Sequence, residues 1–358
     1  MTADESTDSA DLVPSQHREL MRRSAALVRR GLDDLSRHLI TPDLLYQLKL
    51  SLRAQNRDAR AEAAHEIMRL APHLSIREEA VGRLLVELAT SLSFMFWYGG
   101  DEDYVHSHSG KYESQDVIDL FTSTLHTLLG TEASPGEAIL EILERSTGAA
   151  KTEAADALTH SHVPKQRALP VLQRALKQAT DEWQALTLRF VMAWLSHENA
   201  DPVYRDMVQY YIASCADYGD DIVLCREYLR RLGLYASPDT AADSFCTLAT
   251  QGHVDFAASL FYWGFPSSFA ASCSQDGWQR MMDIAWSQFL QATARTDLRE
   301  LSPTRNPTEV RTVLDQAPDR PMYMPDDYYG RLASSLKHTT WGRVLALLMD
   351  ARIPREAS

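Results

Sequence analysis

The chain has 358 residues, 45% of them hydrophobic, and a formal net charge of −13 at pH 7. That length exceeds one compact core and predicts two domains or one elongated array, while the acid excess argues against a nucleic-acid partner, because phosphate contacts supply most of that affinity. Its densest apolar run, Leu92 to Tyr98, is far shorter than the roughly 18 residues a membrane span needs, and the polar start has no signal-peptide core, so no membrane association and a cytoplasmic location are expected.

Residues 1–14 are Asp, Glu, Ser and Thr around few apolar groups and read as a disordered acidic tail. Ser15 to Leu39 reads as a helix with Leu20, Leu27, Leu35 and Leu39 inward and Arg22, Arg23, Arg29, Arg30 and Arg37 outward. Thr41-Pro42 is an N-cap followed by a first-turn proline, and Leu44, Leu45, Leu48 and Leu52 fall on one helical face. After the polar turn Gln55–Asp58, Ala63, Ile67 and Leu70 restart the pattern on a second helix. Such a hairpin cannot bury its stripe alone and calls for neighbours of its own kind.

Ser75 with Glu78 reads as a capping box opening a long helix through Leu84, Leu88 and Leu92. The segment from Gly99 to Glu113 departs from the pattern and is longer than a usual helix connection. Long loops on rigid scaffolds often carry function, so Asp101, Glu102, Asp103, Tyr104, His106, His108 and Tyr112 are the first candidates for a partner-binding site, joined by Arg22 and Arg29. Residues 17–60 hold ten Arg or Lys against five acids, whereas 99–119 hold six acids against one Lys, so the charge is uneven.

Hairpins resume at Ser114. Ser134 with Glu137 is a second capping box, and Lys165 to Gln178 packs Leu169, Leu172 and Leu176, with Pro170 in its early turns. Asp181 caps a helix with Trp183, Leu186, Phe190 and Trp194 inward, and Asp201-Pro202 caps one carrying Val203, Met207 and Tyr210. Leu224, Cys225, Tyr228, Leu229 and Leu232 form a stripe ended by Gly233, and Ser237-Pro238 opens the next helix. Starts at 41, 76, 135, 165, 202 and 238 are spaced by 35, 59, 30, 37 and 36 residues, a helical-repeat period. Past residue 250 aromatics crowd together, a proline-rich stretch covers 303–325, and two helices carrying Tyr329, Leu332, Leu336 and then Trp341, Leu345, Leu348 close the chain. Cysteines 215, 225 and 246 lie among apolar helical positions and, with Cys273, show no C-x-x-C pair, so they read as buried free thiols.

Asn56 to Leu70 resembles the second helix of a HEAT repeat, with Asp58 and Arg60 at the positions that tie successive repeats in that family. Ala168 to Leu176, followed by Asp181 and Arg189, is similar more loosely, with Pro170 placed as in many HEAT first helices. The resemblance covers 41–71 and, loosely, 135–235, and implies a curved stack of helices that holds another macromolecule. His65-Glu66 and His197-Glu198 are similar to the His-Glu pairs of HEAT-like di-iron hydroxylases, which use four such pairs, and Asp217 to Asp221 resembles the magnesium clusters of helical terpene cyclases in the wrong order. His106-x-His108 and His160-x-His162 offer zinc-type ligands.

The reading is an all-α chain, an α-solenoid of antiparallel HEAT- or ARM-like hairpins over 15–250, with a helical C-terminal cap or subdomain over 251–358. It is expected to act as a non-enzymatic scaffold for a protein partner with a basic surface, with no catalytic residue, metal or cofactor assigned. The alternative is an iron- or zinc-dependent enzyme on the same scaffold.

Overall fold

Helix starts follow local chemistry closely. Thr41 Oγ1 accepts the Leu44 N–H at 3.2 Å and opens α1 (Pro42–Leu52), and Asn56 Oδ1 accepts the Asp58 N–H at 2.9 Å and opens α2 (Arg57–Leu70). In the computed structural model residues 40–54, 56–98, 115–217, 220–263, 267–316 and 339–353 are described. Among them the chain is all-helical, with no strand. It divides into two compact units, the first ending at Val191 and the second beginning at Met192.

The first unit continues with α3 (Glu79–Tyr98), α4 (Gln115–Leu129), α5 (Pro135–Arg145), α6 (Gly148–Leu158), α7 (Lys165–Leu176) and the start of α8 (Glu182–Ser196). Helix α1 pairs with α2 and lies on α3, α2 lies on α4, and α3 also packs against α4, α5 and α6. Leu84, Leu85, Leu88, Ala89 and Leu92 of α3 are fully buried at this centre. Gly82 permits the close approach: a Cβ there would stand 2.6 Å from the Ala150 Cβ and 3.1 Å from the Ser146 Cβ. The Ser134–Glu137 capping box forms in both directions, and Asp181 Oδ1 caps α8 through the Gln184 N–H at 2.7 Å.

Two expectations in this unit change. Ser75 and Glu78 do not build a capping box: Glu78 N–H bonds the Ser75 carbonyl at 2.8 Å in a tight turn, and the helix begins at Glu79. Helix α7 buries Ala168, Val171, Leu172 and Ala175, leaving Leu169 and Leu176 only half-buried. Pro170 lies in the second turn of α7; its missing N–H leaves the carbonyl of exposed Gln166 to water.

The second unit holds α9 (Ala200–Ser214), α10 (Asp220–Leu232), α11 (Pro238–Thr250), α12 (Val254–Trp263), α13 (Ser267–Ser272), α14 (Gln275–Thr293), α15 (Pro307–Asp315) and α16 (Thr340–Arg352). Antiparallel neighbours pair as α9 with α10, α11 with α12 and α14 with α16; α9, α11 and α14 contact in sequence, as do α10, α12 and α16. Asp201 ties these layers instead of capping α9, which starts at Ala200 behind left-handed Asn199. Its carboxylate accepts the Ser237 N–H and hydroxyl, each at 2.6 Å, and Ser237 is itself the N-cap of α11. Asp239 repeats the device at the next layer, accepting at 2.6 Å the N–H of Ser274, the N-cap of α14. The aromatic tail supplies core: Phe256, Phe261, Phe269, Trp278, Met282, Phe289 and Trp341 are all buried. Leu224, expected inward, stands 39% exposed because the buried stripe of α10 runs through Cys225, Tyr228, Leu229 and Leu232.

Candidate functional site

The packing of α1 on α3 leaves a cleft of about 570 Å³ whose lining includes Asp43, Tyr46, Lys49, Glu78, Glu79 and Arg83. Asp43, Tyr46 and Lys49 project from α1 at successive spacings of three, so they share one side. Leu45 is buried beneath them, and Tyr46 stands 50% exposed at the mouth. Leu50, four residues further along α1, is also exposed, so Tyr46 and Leu50 stand as an apolar pair on the surface of that helix.

Charge in the cleft is sorted. Glu153 of α6 holds both cations, accepting from Lys49 Nζ through Oε2 and from Arg83 Nε through Oε1, each at 2.7 Å. Lys49 is 7% exposed, so this partner is what makes its charge tolerable there. One carboxylate thus offsets one of the two positive charges, while Asp43, Glu78 and Glu79 are exposed and form no ion pair among the described residues, so the acids stay in excess. Beside the cleft, Arg53 ends α1 with its guanidinium on Glu87 of α3 at 2.5 Å, and that hydrogen bond raises the arginine above its ordinary value, against burial. The walls are therefore cross-linked; Asp43 and Glu78 are exposed, and the Glu79 carboxylate lies against Gly148 at the start of α6.

A second cluster occupies the turns of the second unit. Cys215 follows α9 directly, and its Sγ lies 3.7 Å from His253 Nε2 in the α11–α12 turn. The imidazole meets the Tyr211 ring edge-on at 5.3 Å, and Tyr211 packs on Phe256 at 4.6 Å. Cys215 is therefore half-buried at a helix end, unlike the buried helical thiol expected of it, whereas Cys225, Cys246 and Cys273 are buried.

Every partner-binding candidate of the sequence reading, Asp101, Glu102, Asp103, Tyr104, His106, His108, Tyr112, Arg22 and Arg29, lies outside the described residues. The remaining motifs are placed. Glu66 is buried on Arg69 Nη2 at 2.5 Å while its neighbour His65 is exposed, so that pair diverges. His197 adopts a positive φ of 59° and stacks on Tyr235 at 4.3 Å, with Glu198 exposed beyond it. His160 and His162 are exposed in the turn after α6, and among the described residues no three His, Cys, Asp or Glu side chains converge as a metal site. Arg60 donates to the Ala54 carbonyl at 2.5 Å, a bond inside its own hairpin.

Fold and cleft together define an all-helical protein with an acid-rich groove between α1 and α3, and no helix among the described residues is long and apolar enough to cross a membrane. No protein-family model, curated protein or solved structure matches the chain.

Proposed function

We propose that the chain is a non-enzymatic binding module, a HEAT-like α-solenoid, that holds a protein partner by a basic segment seated in the α1–α3 cleft. The observation that carries this reading is the division of charge: Glu153 pairs with both cations, Lys49 and Arg83, while the further carboxylates Asp43, Glu78 and Glu79 leave the cleft acidic on balance, with Asp43 and Glu78 exposed beside an exposed tyrosine. A guanidinium entering the cleft meets carboxylates for charge-assisted hydrogen bonds and the face of Tyr46 for a cation–π contact. The paired helices of the first unit give that rim a rigid support, which favours binding by a preformed surface. The acidic segment 99–113 belongs to the same proposal, as a further contact for a basic partner.

The test is titration calorimetry of the full chain with a short arginine-rich peptide. Asp43→Lys combined with Glu78→Lys is expected to weaken binding by about tenfold, since exposed charge pairs contribute up to about 1 kcal/mol each, and Tyr46→Ala is expected to weaken it further. Unchanged affinity in the double variant, or tighter binding of an acidic peptide by the parent chain, refutes the assignment.

A further inference from the structure

The four cysteines differ in environment in a way that singles out one of them. Cys225 is fully buried with its thiol on the Met207 carbonyl at 3.6 Å. Cys246 is 7% exposed, and burial pushes its thiol up to about 11. Cys273 is 4% exposed, and burial raises it too, against the Arg352 guanidinium nearby. All three are poor nucleophiles, because the thiolate is the reacting form and a reagent must reach it. Cys215 alone combines partial exposure with an imidazole at 3.7 Å.

We propose that Cys215 is a reactive thiol activated by His253 and a site of oxidation by hydroperoxides. The proton on Sγ passes to His253 Nε2. The thiolate attacks one oxygen of the peroxide, the O–O bond breaks as the S–O bond forms, and the departing oxygen takes the proton back from the imidazolium. Thiol and hydrogen peroxide thus become sulfenic acid and water, with sulfur oxidised and peroxide reduced.

Two local features oppose a thiolate, and the imidazole must outweigh them. The last-turn carbonyls of α9 present the negative end of that helix to Cys215. The Ile212 carbonyl, 3.4 Å from Sγ, also competes for the thiol proton. Sulfur accommodates a longer contact than nitrogen or oxygen does, so 3.7 Å to Nε2 is bonding distance for this pair. The backbone N–H of His253 bonds the Leu248 carbonyl at 2.9 Å and fixes the turn, and the edge-on Tyr211 ring packs against the imidazole, so its position is set before any reagent arrives.

The experiment treats the intact chain with hydrogen peroxide in the presence of dimedone and locates the adduct by peptide mass spectrometry. Cys215 is expected to carry nearly all of the label, and Cys215→Ser to abolish it. His253→Gln is expected to slow labelling of Cys215 by at least about tenfold, the lower end of what a positioned base supplies. Were the imidazole only packing, its replacement would loosen the turn and speed labelling, so the direction of change separates the two roles. Label spread evenly over the four cysteines of the parent chain, or a rate at Cys215 that His253→Gln leaves equal or raises, overturns the proposal. The distribution in the parent chain stands as a test even if the variant fails to fold.

Discussion

Tyr204 of α9 is enclosed in the interior, its hydroxyl facing no hydrogen-bond partner among the described residues, and burial drives its phenol well above the ordinary range. A buried hydroxyl without an acceptor has given up its water without replacement. Tyr204→Phe keeps the ring and removes that penalty, so it is expected to raise unfolding stability by about 1 kcal/mol, measured as a shift of the urea midpoint at unchanged slope. A loss of stability would mean that the hydroxyl is satisfied. This residue also marks a limit of pattern reading. Val203 and Met207 were legible as the inward face of their helix, but the same periodicity selects Tyr210, which is only half-buried, over Tyr204 and Tyr211, which are buried. Aromatic residues flank the stripe on both sides, and packing of the neighbouring hairpin decides which of them turns inward.

Among elements, four caps whose partners lie within four residues are readable in the sequence, although the equally local Ser75–Glu78 box does not form and the local cap at Ser274 carries no such reading. Thr41, Ser134, Asp181 and Ser237 each accept an N–H from the first turn they open. Asp201 shares its residue type with Asp181 and its following proline with Thr41, Ser134 and Ser237, yet its carboxylate is committed to Ser237, 36 residues on. That tie exists only once two hairpins are stacked, so no local window contains it. The candidate site is hidden for the same reason: Lys49 and Glu153 are 104 residues apart, and Cys215 and His253 are 38 apart. The two layer ties differ in burial and in bond number, which gives them different weights. Asp201 is partly buried and accepts two bonds from Ser237, whereas Asp239 is exposed and accepts the N–H of Ser274. Asp201→Ala is therefore expected to cost about 1–3 kcal/mol and Asp239→Ala about 1 kcal/mol or less, from urea unfolding of each variant. Equal costs would show that the tie works through backbone geometry and not through the buried carboxylate.

Across the whole molecule these acceptors set how the fold responds to acid. Burial raises Asp201, but the hydroxyl and N–H of Ser237 outweigh it and hold the carboxyl below its ordinary value. Asp239 is lowered by the N–H of Ser274, and Glu137 by Arg167 and then by Ser134. Each is a stronger acid folded than unfolded, so as pH falls the unfolded chain takes up these protons first. Their contribution is whole above the unfolded carboxylate range of about 4 and disappears as pH drops through the folded values. Glu66 runs the other way: burial raises it in spite of Arg69, so its protonation begins in the folded chain and favours folding as pH descends towards the unfolded value. Asp297, lowered by its bond from Arg295, acts in the same sense, and these four lowered carboxylates against one raised make acid destabilising on balance. The urea midpoint of the parent chain is expected to fall between about pH 5 and about pH 3. Asp201→Asn with Asp239→Asn keeps an acceptor oxygen at both ties but removes their titration, so the variant starts lower at neutral pH and declines less steeply. Glu66→Gln is expected to do the reverse, losing the compensating gain and steepening the decline. Parallel profiles for the parent and the Asp201/Asp239 variant would place the acid response elsewhere in the chain.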